Sequence, residues 1–218
     1  RPMADIEGYR EKLAQFIYRT SLMMKPVYER ARSDKKRVVY AEGEERTVLQ
    51  AVQTVVDEGL AFPILIGRPE VIEKRIARLG LRMKRGVDYE LTDIGDDPRF
   101  DDYWQQYHAL TERRGVTPDA AKNLLRSRPT IIAALMVERG EADALITGLV
   151  GRYHKKLGYL RSVFDFEQGV QGTAAMTGVI NDKGAWFFVD THVQMDPSAE
   201  QIAEATLMAS YRLKLFGI

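Results

Sequence analysis

The sequence predicts an α/β fold with a three-layer α/β/α sheet over residues 35–150. Linker helices are predicted before it over residues 1–34, and the first part of a second α/β domain after it over residues 151–218. Two observations predict the sheet. Short apolar, β-rich runs alternate with segments whose apolar residues lie three or four positions apart, which is helical spacing. Strands that alternate with helices in this way form an open, mostly parallel sheet.

The elements of the first domain follow from these runs. Buried parallel strands are typically continuous apolar runs, and such runs occupy 38–41, 62–67 and 144–147. Helical spacing covers 46–58, a segment beginning at Pro69, 100–114, 118–125 and 129–139. A proline is well suited to the first position of a helix. The stretch 82–99 is polar, and we expect it to lie at the periphery of the domain.

The second region has a different pattern. Two β-rich runs, 174–180 and 185–190, are joined by a turn sequence and predict a hairpin. A helix is predicted over 197–215. In the N-terminal region, helical spacing before Pro26 and a break at that proline predict two short helices.

Composition excludes several classes of protein. The 218 residues are 45% hydrophobic and 29% charged, carry a net charge of +1 and include no cysteine. Disulfides and cysteine-bound zinc are therefore excluded. No block of like charge predicts a nucleic-acid partner, and no apolar run reaches the roughly 18 residues of a membrane span. We expect a soluble cytoplasmic protein, and the start at Arg1-Pro2, without an initiator methionine, predicts a piece of a longer chain.

The densest cationic stretch of the second half follows a predicted strand. Open α/β sheets bind ligands at the carboxyl ends of their strands, and arginine and lysine bind phosphate. A phosphorylated ligand is therefore one interpretation, and a solvated basic helix face is the other. The candidate ligand-binding residues are Thr147, Gly148, Arg152, His154, Lys155, Lys156 and Arg161.

Two other segments are weaker candidates. Glu42-Gly43-Glu44-Glu45 follows the first strand, but its carboxylates would repel a phosphate. The favoured interpretation is that these acids cap the following helix, with Arg46 as an ionic partner. Asp190-Thr191-His192 lacks a third ligand at a recognisable spacing, so no metal site is predicted.

Five segments, in order along the chain, resemble the phosphotransacetylase family of phosphate acetyl- and butyryltransferases. They are VVYAEGEER at 38–46, ILIGRP at 64–69, GVTP at 115–118, GEADALITG at 140–148 and DPSAEQ at 196–201. Four more resemble the branch of this family that is fused to bacterial NADP-dependent malic enzymes: RPMAD at 1–5, MMKP at 23–26, GRYH at 151–154 and ASYRLKLFGI at 209–218.

The resemblance implies a regulatory module. In that branch the module binds acetyl-CoA as an allosteric inhibitor and helps to hold a homo-oligomer together. NADP and a divalent metal, Mg²⁺ or Mn²⁺, belong to upstream domains, where malate is oxidatively decarboxylated to pyruvate. Two alternatives remain: a standalone phosphate acetyltransferase, and an oligomerisation domain without a ligand.

The sequence departs from the pattern of active transferases where they carry arginine. Thr111 stands at one such position, and Gly158-Tyr159 stands in place of an Arg-Pro pair. Their His-Thr-Thr-Ala-Asp stretch falls on residues 151–155. The resemblance therefore implies no catalytic residues in this chain and no transacetylase turnover by this domain.

Overall fold

The computed structural model describes residues 24–181 and 184–215, which divide into two compact units. One unit comprises Ala31–Asp165, and the other includes Phe166–Ile218. Helix α1 is described over residues 24–33, and Pro26 lies within it. The helix predicted before Pro26 lies outside the described residues. The domain boundary near residue 150 stays a prediction, although the compact unit continues to Asp165.

The first unit is built on a parallel sheet in the order β3-β2-β1-β4. Its strands are β1 (Lys36–Tyr40), β2 (Ala61–Ile66), β3 (Glu90–Thr92) and β4 (Ala144–Ile146). Its helices are α2 (Arg46–Asp57), α3 (Pro69–Arg78), α4 (Phe100–Thr111), α5 (Pro118–Ser127), α6 (Pro129–Glu138) and α7 (Tyr153–Arg161), with a 3₁₀ turn at Glu112–Arg114. The predicted strands and helices of this domain are confirmed.

Alternate residues of the strands belong to two separate cores, because successive side chains of a strand point to opposite faces. Tyr40 and Leu65 pack with residues of α2 and α3. Val39, Ile64 and Ile66 pack with residues of α4, α5 and α6 on the other face. The sheet therefore lies between two helical layers, and the predicted three-layer α/β/α fold is confirmed.

Residues 82–99 lie at the edge of the sheet, as expected of a peripheral stretch, but they include a strand and buried side chains that the sequence did not predict. This stretch contains β3, which pairs with β2, and the side chains of Met83 and Tyr89 are buried. Arg99 forms ion pairs of 2.8 Å with both Asp97 and Glu141. Other polar residues of the stretch also pair with residues outside it, as Glu90 does with Arg37, so a polar sequence did not exclude a strand here.

The second unit contains an antiparallel hairpin and a long helix. Strands β5 (Met176–Asn181) and β6 (Gly184–Val189) pair from Met176 opposite Val189 to Asn181 opposite Gly184, as predicted. Residues 182 and 183 of the predicted turn lie outside the described residues. Helix α8 (Ala199–Leu215) confirms the helix predicted over 197–215, and it contacts β6.

Candidate functional site

A cleft of about 430 Å³ opens at the carboxyl ends of β1, β2 and β4. Chain topology creates it there. Strand β1 lies beside β4 in the sheet. The chain leaves β1 into α2 on one face of the sheet, and it leaves β4 into α7, which packs with the helical layer on the opposite face. Connections that diverge to opposite faces leave a crevice between them, and open α/β sheets bind ligands at that point.

The walls of the cleft combine charged and apolar side chains. The cations are Arg126, Arg128, Arg152, Lys155 and Lys156, and the carboxylates are Glu42, Glu44 and Glu45. Ile66, Ile94, Pro129, Val150 and Tyr159 contribute apolar surface. The amino-terminal ends of α2, α6 and α7 also border the cleft, since their cap residues Glu45, Arg128 and Arg152 line it. Helix amino termini favour anions.

The turn after β1 lies close against β2. The backbone N–H of Gly43 donates a 3.1 Å hydrogen bond to the carbonyl of Ile66, and a Cβ at Gly43 would lie 2.7 Å from that oxygen. Only glycine can approach the neighbouring backbone so closely. The glycine thereby sets where the side chains on either side of it, Glu42 and Glu44, enter the cleft.

The two carboxylates have separate ionic partners. Glu44 accepts hydrogen bonds of 2.8 Å from both Nε and Nη2 of Arg68, and these bonds lower the pKa of the Glu44 carboxyl. Glu42 accepts a 2.7 Å bond from Nζ of Lys156. Glu45 lies at the N-cap of α2, where the sequence placed an acid, but its side chain makes no capping hydrogen bond. Glu42 and Glu44 bind Lys156 and Arg68 instead.

Four side chains close a hydrogen-bonded ring at one end of the cleft. Lys156 Nζ donates to Glu42 and, at 3.0 Å, to the hydroxyl of Thr130. The hydroxyl of Thr147 lies 2.9 Å from that of Thr130 and donates to Glu42 at 3.1 Å. Since ammonium can only donate and carboxylate can only accept, Thr130 must donate to Thr147. The backbone N–H of Gly148 also donates to Glu42, at 3.1 Å.

The candidate residues from the sequence fall into three groups. Arg152 and Lys155 line the cleft and are exposed. Thr147, Gly148 and Lys156 belong to the ring around Glu42, although Lys156 also borders the cleft. His154 and Arg161 do not line the cleft; His154 is exposed, with its ring 5.7 Å from that of Tyr153.

Sequence reasoning missed Arg126 and Arg128. The guanidinium of Arg126 lies 5.1 Å from the centre of the Phe100 ring, and Arg128 Nε donates a 2.8 Å hydrogen bond to the hydroxyl of Tyr159. The available signal was Ser127-Arg128-Pro129 between two helical segments. Since Pro129 begins α6, it places Arg128 at a helix amino terminus.

Other predicted features lie away from the cleft. Thr111 is buried and its hydroxyl donates a 2.7 Å bond to the carbonyl of Tyr107 within α4. The position where the resemblance places one of the missing arginines therefore does not line the cleft. Asp190 has a φ of 54°, and its carboxylate accepts bonds from the backbone N–H groups of Val193 and Gln194.

Within residues 24–181 and 184–215, His, Asp and Glu side chains form no group of three or more that could hold a metal, and no helix there is long and apolar enough to span a membrane.

Similar proteins share both the sequence and the fold. The chain is 50% identical over all its 218 residues to an NADP-dependent malic enzyme of Escherichia coli and covers 29% of that protein. It is 46% identical to an NAD-dependent malic enzyme of Rhizobium meliloti, of which it covers 28%. The chain thus spans less than a third of the length of these relatives.

A solved structure gives the same fold. A phosphotransacetylase from Streptococcus pyogenes superimposes with a TM-score of 0.78 at 22% identity, over 90% of this chain and 59% of that one. The family model of phosphate acetyl/butaryl transferases matches residues 22–218. The chain belongs to the phosphate acetyl/butaryl transferase family.

Proposed function

We propose that this chain is the acyl-CoA-sensing part of an NADP-dependent malic enzyme and that its cleft binds the phosphate groups of acetyl-CoA. One observation carries the proposal. Arg126, Arg128, Arg152 and Lys155 line the cleft, and in the described part of the chain none of them forms an ion pair with a carboxylate. Cations without internal counter-charges attract a polyanion.

The side chains of the cleft suit both the phosphate groups and the uncharged arm of such a ligand. Arginine grips phosphate oxygens in a bidentate manner, and lysine adds a less directional charge. Arg128 is already oriented by the hydroxyl of Tyr159, which reduces the entropy lost on binding. Ile94 and Val150 offer apolar surface to an uncharged chain. A ligand with several phosphates and an apolar arm matches this combination.

The malic-enzyme context rests on similarity along the entire chain to malic enzymes. In the whole protein, we infer, malate is oxidatively decarboxylated to pyruvate with NADP and Mg²⁺ or Mn²⁺ in domains upstream of this one. Acetyl-CoA would act here as an allosteric inhibitor of that reaction. We expect the enzyme in the cytoplasm.

Acetyl-CoA titration of the full-length protein tests the proposal. Arg128→Ala and Arg152→Ala should each weaken acetyl-CoA binding about ten-fold, since a hydrogen bond to a charged group contributes about 1.5–3 kcal/mol. Arg114→Ala is the matched control. Arg114 is exposed and precedes α5, whose other end carries Arg126, so the two are separated by the length of a 10-residue helix. Binding that is unmoved by the two cleft substitutions would refute the site.

Transacetylase activity is the alternative function, and family membership favours it. The proposal predicts none, because Gly158-Tyr159 stands where the resemblance places an Arg-Pro pair. Loss of one charge-stabilising donor typically costs about 10²–10³ in rate. Robust formation of acetyl-CoA from acetyl phosphate and CoA by the full-length protein would support the alternative instead.

Oligomerisation is the second part of the proposed role. Large apolar side chains on the hairpin and on α8 are exposed, among them Phe188 at 53%, Leu207 at 71% and Tyr211 at 63%. Exposed apolar patches mark interaction surfaces. We infer that a second copy covers this surface in a homo-oligomer. A full-length protein that sediments as a monomer at micromolar concentration would contradict this inference, and the acyl-CoA proposal would be unaffected.

A further inference from the structure

The ring around Glu42 is the most buried charged arrangement that borders the cleft. The side chains of Glu42 and Lys156 are only 9% and 17% exposed, and Thr130 is fully buried. A carboxylate beside a bound phosphate would repel it, so direct contact with the ligand does not explain the presence of Glu42. Its contacts indicate its purpose, since they join the ends of β1 and β4 to the starts of α6 and α7.

We propose that Glu42 is a positioning residue, which acts through Lys156 to hold the first turn of α7, and with it Arg152 and Lys155, at the cleft. This inference rests on the proposed function, because it assigns the ion pair a role in binding the same ligand.

The loop before α7 explains why this turn needs an anchor. Gly148 and Gly151 have φ values of 117° and 95°, a region open to glycine, and Leu149 and Val150 between them are about half exposed. Little in this loop packs against the core. Its Gly148 N–H and the first turn of α7 are both bound to Glu42, the latter through Lys156.

The geometry of α7 links the anchor to the binding cations. The backbone N–H groups of Lys155 and Lys156 donate to the carbonyl of Arg152 at 3.1 and 3.2 Å. Fixing Lys156 therefore fixes the whole turn that carries Arg152 and Lys155. The other end of the helix is held separately, because Tyr159 and Leu160 pack against the core. Release of the Glu42 contact would free the amino-terminal end alone.

The sign of one substitution separates positioning from simple electrostatics. Glu42→Gln removes a negative charge from the cleft, so repulsion alone predicts tighter acetyl-CoA binding. Positioning predicts binding weaker by about ten-fold, the worth of one charged contact. Glu44→Gln is the matched control, since Glu44 lines the same cleft but pairs with Arg68, which precedes α3. We expect Glu44→Gln to leave acetyl-CoA binding unchanged or make it tighter.

A double-mutant cycle in the full-length protein tests the route through Lys156. Lys156→Met should weaken acetyl-CoA binding as Glu42→Gln does, and the double variant should be no weaker than the Lys156→Met variant, because coupled residues are not additive. Lys156→Arg keeps the ion pair with Glu42 and should retain acetyl-CoA binding. Additive losses would mean that Lys156 contacts the ligand itself, which overturns the proposal.

Hydrogen exchange without ligand provides a readout independent of acetyl-CoA. Peptides covering residues 148–157 should exchange faster in Glu42→Gln than in Glu44→Gln or the wild type. Unchanged exchange, or faster exchange with unweakened binding, overturns the positioning role. If the wild type does not bind acetyl-CoA, the proposed function fails, and the exchange rates alone decide whether Glu42 holds the first turn of α7.

Discussion

Replacement of Gly43 by alanine is the substitution whose effect the structure defines most directly. An added Cβ would lie 2.7 Å from the carbonyl oxygen and 2.9 Å from the nitrogen of Ile66, and 3.0 Å from the Cβ of Leu65. Two of these atoms belong to the backbone of β2, and Ile66 and Leu65 are fully buried. No side chain can rotate away to make room. Either β2 or the turn after β1 must move.

The expected loss of stability combines two opposing effects. Overpacking a well-packed site destabilises by about 1–3 kcal/mol, and displacement of the turn also strains the 3.1 Å hydrogen bond from Gly43 to Ile66. Alanine restricts the unfolded chain and returns about 0.4–1 kcal/mol. We therefore expect Gly43→Ala to destabilise the first unit by about 1–2 kcal/mol. The positions of Glu42 and Glu44 in the cleft should shift as well.

Urea-dependent hydrogen exchange in the full-length protein measures this loss, because peptides from β1 and β2 report the stability of their own unit. Gly158→Ala is the matched control. Gly158 lies within α7, and an added Cβ would meet nothing within 4 Å. The same substitution there should stabilise α7 by about 0.5–1 kcal/mol, since alanine is the better helix former. Equal effects at the two glycines, or a stabilised Gly43→Ala variant, would refute the packing argument.

Three further outcomes are expected. Lys156→Met should destabilise the first unit by about 3 kcal/mol, because it leaves the Glu42 carboxylate buried without its cation. The exposed Lys155 is the control, and Lys155→Met should change stability by less than about 0.5 kcal/mol. Urea-dependent hydrogen exchange measures both changes. Stability should also depend on the Glu44–Arg68 pair at low pH. The hydrogen bonds from Arg68 lower the pKa of the Glu44 carboxyl below 4.5, so the stabilisation is present above that pH and is lost as pH falls through the lowered value; the difference between wild type and Glu44→Gln in urea titrations should therefore disappear in acid. The full-length protein should show malate oxidation inhibited by acetyl-CoA and no acetyl transfer to phosphate, which coupled assays of both reactions on one preparation would check.

Most of the fold was predictable because its strands and helices have strong local patterns. Val38-Val39-Tyr40 and Ile64-Leu65-Ile66 are apolar on both faces, as expected of strands between two helical layers. Strand β3 was missed because it has no such local pattern. Glu90-Leu91-Thr92 is only 3 residues long at the edge of the sheet and presents one apolar residue between polar neighbours. No period can be recognised in so short a segment.

The partners of charged residues were the least predictable feature. Glu42 and Lys156 are 114 residues apart in sequence and 2.7 Å apart in space, and nothing local to either residue indicates the other. The sequence therefore favoured Arg46, a near neighbour of Glu42, as an ionic partner for the acids. Short-range reasoning selects nearby partners, whereas a parallel sheet brings the ends of strands from distant segments together.

The same topology determines which cations can meet a ligand. The densest cationic stretch of the second half contains Arg152, Lys155, Lys156 and Arg161, yet a helix presents successive residues to different directions, and Arg161 does not line the cleft. Arg126, in the last turn of α5, and Arg128, at the cap of α6, do line it, although no count of local charge would select them. They lie there because α6 leads into β4 of the parallel sheet, so the amino-terminal end of α6 lies at the carboxyl ends of the strands. The charge in such a cleft depends on which strand and helix ends the topology brings together, and not on the density of charge along the sequence.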